Sequence, residues 1–423
     1  MTHAKPPSGA PPQVKSPELS GNETARPAPA MGVYVHFPWC LSKCGYCDFY
    51  SVATGGDNVI EHERYADQVL FELERRVASI AQHQLTTIFV GGGTPSLWNK
   101  KALARVLSGA LSLFGAAAKD VEITVECNPS SFDADAVEGL LLAQVNRISL
   151  GIQSLNNEQL AFLGRRHDAD GALRALELAL DAGFSSVNAD LLFGLPRQTV
   201  NSEVDQVRQI AEMGVDHLSA YALTIEDGTH FGQLKKLGRL PLAVDENVAD
   251  AFLAVHSTLE SLDFEHYEVS NFARPGKRSL HNQQYWWGLP YLGVGAAAWG
   301  TVPLGSNLVR YRNPAHIERY LGINFTAQAT SPFEPTPKGT VDSREFVDAK
   351  MRLSERLLLG LRLKEGVELE MLERELGIPV LTAERMRAIR RQIERRNLCQ
   401  DGGRIYIEPE AWLHADSTIV DIA

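Results

Sequence analysis

The 423-residue sequence predicts an α/β fold, a partial parallel (β/α)6 barrel followed by a small C-terminal winged-helix-like α+β domain. Three observations predict it. Short apolar runs rich in β-branched and aromatic residues alternate with longer amphipathic stretches, the pattern of βα units joined in a parallel sheet. Polar and glycine-rich motifs stand at or just after the C-terminal end of nearly every apolar run. That is the mouth of a barrel, whereas an open sheet gathers its ligand groups mainly at one switch point. The chain then ends in three helical periods and a β-like segment.

Residues 1–30 hold seven of the 21 prolines, mixed with Ser, Ala, Gly and Lys. This composition cannot bury a core, so a disordered tail is expected there, with order beginning near Met31. The apolar runs follow: VYVHF (33–37), TIFVGGG (87–93), EITVEC (122–127), ISLGIQ (148–153), VNADLLFG (187–194) and LSAYALT (218–224). Between them, 64–80, 102–114, 170–183 and 204–214 repeat apolar residues at helical spacing. These units give a barrel over 31–264. Residues 265–340, rich in Tyr, Trp, Asn, Gly and Pro, are expected to form an irregular extension carrying HNQQYW (281–286). In 341–423, helices are expected over 345–363, 368–376 and 381–397, then a β-like RIYIEP (404–409).

Composition narrows the function. A net charge of −11 argues against a broad nucleic-acid surface, which needs a basic face, so no nucleic-acid partner is expected. The helix period at 384–396 carries six arginines, as a DNA-reading helix does, but it also reads as a solvated face of mixed charge. No run approaches the ~18 apolar residues of a membrane span, and the N-terminus lacks the apolar core of a signal peptide. The five cysteines are too few and too uneven for a disulfide framework, which fits a cytoplasmic chain with reduced thiols.

Three of those cysteines, Cys40, Cys44 and Cys47, fall within eight positions. Thiolates suit zinc, copper(I) or iron–sulfur clusters. A structural zinc wants a fourth ligand. His36 is a candidate, but four residues before Cys40 it is expected to point along a strand. A four-iron cluster capped by three thiolates has one open iron, where a substrate or cofactor binds. Cys127 reads as a small buried apolar residue and Cys399 as structural.

The C-x3-C-x2-C spacing directly after the first strand, Tyr46 before the last cysteine and a glycine run ending the second strand together resemble the radical S-adenosylmethionine (SAM) superfamily. The resemblance implies a [4Fe–4S] cluster on Cys40, Cys44 and Cys47, with SAM chelating the fourth iron. The motifs YVHFPWC, CGYCDFYS, GGGTPS, ECNP, GIQS, DLLFGLP, YEVSNFARPG and HNQQYW, from Tyr34 toward the C-terminus, narrow it. They resemble the HemW group of heme chaperones, relatives of the oxygen-independent coproporphyrinogen III dehydrogenases. That implies SAM contacts at Tyr34, Tyr46, Gly92, Gly93, Thr94, Glu126, Gln153, Arg165 and Asp190. Physical chemistry agrees for several. Glycines let backbone approach a ligand, Glu126 suits ribose hydroxyls or an ammonium, and Arg165 suits a carboxylate.

Two positions separate the branches. The dehydrogenases carry a fourth cysteine two positions after the third, and here that position is Phe49. His281 offers an imidazole beside Tyr285, Trp286 and Trp287, a heme-iron ligand with flat neighbours, although on residues alone it reads better as a core histidine packed among aromatics. The resemblance implies heme at His281, transfer to an acceptor hemoprotein at the membrane, respiratory enzymes among the acceptors, and no assigned catalytic residue. Coproporphyrinogen III dehydrogenase is the alternative enzyme reading. A radical-SAM nucleic-acid modifier is the alternative of another class.

Overall fold

The computed structural model describes residues 29–55, 59–325, 331–335 and 339–423. The tail expected over 1–30 lies outside these residues except for its last two. Six parallel strands carry the six apolar runs: β1 Ala30–Phe37, β2 Gln84–Gly92, β3 Glu122–Cys127, β4 Arg147–Gln153, β5 Ser186–Phe193 and β6 His217–Ala222. They pair in sequence order, β1 to β6.

The layer of helices outside them comprises α1 His62–Val77, α2 Lys100–Phe114, α3 Ala134–Leu142, α4 Ala169–Asp181, α5 Val200–Glu212 and α6 Asp245–Glu260. Each lays an apolar stripe on the sheet. In α2 the stripe is Leu103, Val106, Leu107, Ala110 and Leu111, at helical spacing. Side-chain caps start several of them, Asn99 at α2, Asp133 at α3, Asp168 at α4 and Thr199 at α5, by accepting otherwise unpaired N–H groups.

The region expected to be irregular, 265–340, is instead rich in strands. β7 Glu265–Glu268 and β8 Asn271–Ala273 form a hairpin antiparallel to β6. Helix α7, Leu280–Trp286, carries HNQQYW. β9 Tyr291–Val294 returns to lie parallel to the far side of β1. β10 Trp299–Leu304, β11 Asn307–Arg312 and β12 Ser343–Val347 extend that edge antiparallel. The sheet therefore reads β12-β11-β10-β9-β1-β2-β3-β4-β5-β6-β8-β7. These strands are short, and glycines in them serve close backbone approach. A Cβ at Gly293 would overlap the Trp299 carbonyl, so a side chain that would have marked the alternation is missing.

The C-terminal unit has its own core, in which Leu357, Leu361, Ile405, Ile407 and Ile419 are fully buried. Helices α8 Ala349–Gly360, α9 Leu369–Leu376 and α10 Ala383–Glu394 precede a ribbon, Cys399–Asp401 with Arg404–Tyr406, that Val367–Glu368 completes. A further helix, α11 Ala415–Ile422, closes the core. The arginine-rich α10 is partly spent inside this unit: Arg391 pairs with Asp421 at 2.7 Å, and Arg385 donates to the Ile422 carbonyl at 2.9 Å. Backbone hydrogen bonds from Val269 to Arg362 and from Lys364 to Tyr267 tie the unit to the β7–β8 hairpin. Among the described residues no helix is long and apolar enough to cross a membrane.

Candidate cluster and cofactor site

After β1 the chain turns outward at Pro38 and lays Trp39–Cys40 beside Val52–Ala53 as a two-stranded parallel ribbon. This ribbon closes the loop that holds the three cysteines. Within the loop the Cys47 N–H donates to the Cys44 carbonyl at 3.2 Å. The Phe231 ring packs where a Cβ at Gly45 would stand, and the Phe231 N–H donates to the Gly45 carbonyl at 2.9 Å. Phe49, two positions beyond Cys47, is 67% exposed.

All three thiols are half-buried. Burial raises the pKa of Cys40 and Cys47, and each also feels the neighbouring thiols of the loop. Such a group ionises readily only when a cation arrives. Thr94 donates to the Cys40 sulfur at 3.4 Å, and Arg165 donates from Nη1 to the Cys44 sulfur at 3.7 Å. Among the described residues no three His, Cys, Asp or Glu side chains converge as ligands of one metal ion. Three soft donors spread round a loop, each approached by a hydrogen-bond donor, fit a polynuclear iron–sulfur cluster capped by one thiolate per iron. Cys127 is buried in the barrel core, and Cys399 lies in the C-terminal ribbon.

The glycine run is strapped to this loop. The Gly93 N–H donates to the Phe37 carbonyl at 2.7 Å and the Thr94 N–H to the Trp39 carbonyl at 2.8 Å. Gly92 has φ +110°, and a Cβ there would overlap the His36 ring. His36 is no metal ligand in this arrangement. Its Nε2 meets the Tyr50 carbonyl at 2.9 Å and its Nδ1 the Tyr34 hydroxyl at 3.0 Å.

Below the loop lies a layer of polar groups from successive strand ends. The Gly92 N–H donates to Glu126 Oε2 at 3.1 Å. Burial, and then the nearby Asp190 carboxylate, push the Glu126 carboxyl up to about 7. Asp190 accepts from Ser149 at 2.9 Å and Asn188 at 2.8 Å, and burial raises it too. Gln153 ends β4 at φ +69°, next to a register shift, an unusual conformation of the kind found at functional sites. Arg165 donates to the Gly151 carbonyl at 2.7 Å, while its buried Nε has no partner. Tyr46 stands beside Arg165 and Phe231. Cys44, Thr94 and Arg165 line one cleft of about 280 Å³ together with Asn128, Ser130 and Arg166. Thus the cysteines, Thr94, Arg165 and Tyr46 meet at the loop, and Gly92, Gly93, Glu126, Gln153 and Asp190 lie at the same strand ends.

His281 lies elsewhere. Helix α7 crosses the opposite end of the barrel, where Glu122 at the start of β3 accepts the Leu280 and His281 N–H groups, each at 2.9 Å. Five residues along β2 separate Thr87, beside His281, from Gly92, a distance of roughly 16 Å. The imidazole is 1% exposed and stacks on Phe89 with centroids 5.1 Å apart. The Thr87 hydroxyl donates to Gln284 at 3.3 Å, so it accepts from His281 Nδ1 at 2.7 Å, and Nε2 accepts from the Tyr285 hydroxyl at 2.9 Å. Burial and the charge of Arg147 pull its pKa down to about 3, so the ring is neutral. The expectation of an open imidazole is corrected: both ring nitrogens are engaged. Tyr285, not His281, opens onto a second cleft of about 660 Å³ between β9–β11 and α8. The sequence shows Tyr285 as a flat neighbour of His281, but Arg310, Arg352 and Arg356 of the same cleft were not read from it. The four-residue interval between the last two on one helix was the available signal.

Residues 34–211 match the radical SAM superfamily, and residues 347–414 match the HemN C-terminal domain. A relative from Escherichia coli strain K12, the heme chaperone HemW, is 40% identical over 314 residues, covering 72% of this chain and 81% of that protein. The heme chaperone HemW of Mycobacterium tuberculosis strain H37Rv is 35% identical over 358 residues, 84% of this chain and 88% of that protein. The solved structure of coproporphyrinogen III oxidase, HemN, from Escherichia coli shares the fold with a TM-score of 0.77 at 20% identity, covering 94% of this chain and 90% of that one. The two family matches and the HemW relatives together show that the chain belongs to the HemW family of the radical SAM superfamily.

Proposed function

We propose that this protein is a heme chaperone, which binds heme and passes it to an acceptor hemoprotein. Cys40, Cys44 and Cys47 would hold a [4Fe–4S] cluster. Tyr34, Tyr46, Gly92, Gly93, Thr94, Glu126, Gln153, Arg165 and Asp190 would contact SAM. When bound, the cluster supplies an electron and an open iron for the amino acid end of SAM. Around it, Thr94 and Arg165 donate hydrogen bonds to sulfur, the glycine strap fixes the loop, and Glu126 meets positive charge. We place the protein in the cytoplasm with a membrane-associated acceptor, respiratory enzymes among the choices.

The observation that carries the reading is that HNQQYW, through Tyr285, meets a cleft of its own, a barrel length away from the thiol loop. A radical enzyme needs its substrate beside the SAM site, whereas a carrier can hold cargo apart from it. Phe49 also leaves the dehydrogenase without a thiol its branch uses. His281 would meet heme iron only after Tyr285 swings from Nε2. With that hydrogen bond made, it positions Tyr285.

One anaerobic preparation tests this. The reconstituted protein should carry four irons, and Cys40→Ala, Cys44→Ala or Cys47→Ala should lose them while Cys127→Ala and Cys399→Ala keep them. It should bind heme near one to one, with His281→Ala weaker but not silent, and should not convert coproporphyrinogen III. Efficient formation of protoporphyrinogen IX with no retained heme would return the chain to the dehydrogenases.

A further inference from the structure

The cleft beside α7 is built from two units. The sheet edge gives Tyr291, Thr301, Leu308 and Arg310, and α8 of the C-terminal unit gives Arg352, Glu355, Arg356 and Leu359. Tyr285 and Tyr291 meet edge to face at 4.6 Å and 86°, so one ring presents its face where the other presents its edge. Leu289, Leu308 and Leu359 make the remaining wall apolar. The free space between these walls is about 660 Å³, part of it open to solvent, so a flat ligand would lie in it with one edge exposed.

Its charge is lopsided. Three guanidiniums line the cleft against one carboxylate, Glu355. Arg310 is held by Glu345 at 2.9 Å and Glu355 at 2.6 Å. Arg352 and Arg356, one turn apart on α8, converge on a single carboxylate outside the cleft, Glu375, at 2.9 and 2.7 Å. Arg352 reaches it through Nη2 and Arg356 through Nη1. A guanidinium has five N–H donors in a planar fork, so each can take a further carboxylate. Gly288, at φ +63°, lets the stem of Arg356 lie on the turn after α7, where a Cβ would stand 2.7 Å from Arg356 Cδ. The two arginines are thus seated against the HNQQYW helix and aimed from the C-terminal unit.

We propose that this cleft is a tetrapyrrole cradle in which Arg352 and Arg356 clamp the paired propionates and Tyr285 and Tyr291 lie against the macrocycle. The inference rests on the heme-chaperone reading and adds the site and its carboxylate clamp. It also assigns the C-terminal unit a share of the cargo site.

Ferric heme and its dimethyl ester, titrated into the full-length protein, test the clamp without a mutation. Free heme should bind about tenfold more tightly than the ester, because a charged hydrogen bond is worth that much. Arg352→Gln with Arg356→Gln should erase the difference by weakening free heme alone. Glu375→Gln, which releases both guanidiniums, should tighten free heme, whereas mere loosening of α8 against α9 would weaken it. Equal affinity of the wild-type protein for heme and ester, or weaker heme binding by Glu375→Gln, overturns the clamp and leaves the chaperone standing. Wild-type protein that binds neither ligand overturns the chaperone reading itself.

Discussion

Glu126 and Asp190 occupy one half-buried layer at the barrel mouth, and the titration of Glu126 has a sign that can be read in solution. The Glu126 carboxyl moves from an ordinary 4.5 to about 7, first by burial and then by Asp190. A raised folded-state value means that the native state binds the proton more tightly than the unfolded chain does. Its contribution to stability is complete below about 4.5 and is lost as pH rises through 7. Glu126→Gln removes that slope. In the ligand-free protein, the variant's gain over wild type should therefore grow between pH 4.5 and 7, by about 3 kcal/mol at most. Urea midpoints at a series of pH values measure it, and a constant difference would mean that Glu126 is not the group responsible.

At the scale of elements, the β2-to-loop turn is the most constrained connection near the thiols. Gly92 cannot carry a side chain, because its φ is +110° and the His36 ring fills the place of a Cβ. Gly92→Ala should cost more than 2 kcal/mol and lower iron retention with it, since Gly92 makes the Glu126 hydrogen bond and leads directly into the strap at Gly93 and Thr94. Gly115→Ala is the control. It ends α2 at φ +63° with open space around it and should cost about 1 kcal/mol without touching iron. Thermal midpoints and iron content of the two variants decide between them. These elements differ in how legible they were. β1 to β6 showed in the sequence because each is an apolar run set off by helical periods. The cysteines, the glycine strap and the strand-end carboxyls showed because each motif is local. β7 to β11 did not, being three to six residues long without clear helical periods to set them apart and, in β9 and β10, with a glycine where an alternating side chain would stand. The arginine cleft did not either, because β11 and α8 meet only through tertiary packing.

At the scale of the molecule, one buried ion pair joins the first helix to the returning edge. Glu72 and Arg76 of α1 pair at 0% exposure. Arg76 donates to the Gly293 carbonyl at 2.8 Å and to Asn313 at 2.7 Å, and its guanidinium lies 4.3 Å over the Tyr311 ring. Glu72 accepts from the Gly295 N–H, Asn313 and Tyr320. Arg76→Met strands a carboxylate in the core and should cost about 3–5 kcal/mol. Adding Glu72→Leu should recover part of that loss in the same denaturation experiment, because no charge is then left unpaired. The pairing of β1 with β9 also carries a consequence in time. Gly32 to Val35 find one of their two neighbours only in Tyr291 to Val294, 259 residues later. A ribosome adding 5–20 residues per second needs roughly 13–50 s to make that stretch. Throughout, the nascent chain already has its thiol loop, while β1 presents a bare backbone edge to whatever is nearby. Non-local pairing of this kind is slow and exposed to aggregation. Birth of this protein thus includes an interval in which its first strand waits half-paired, and anything that lengthens that wait, such as slow translation, should raise the fraction lost to aggregation.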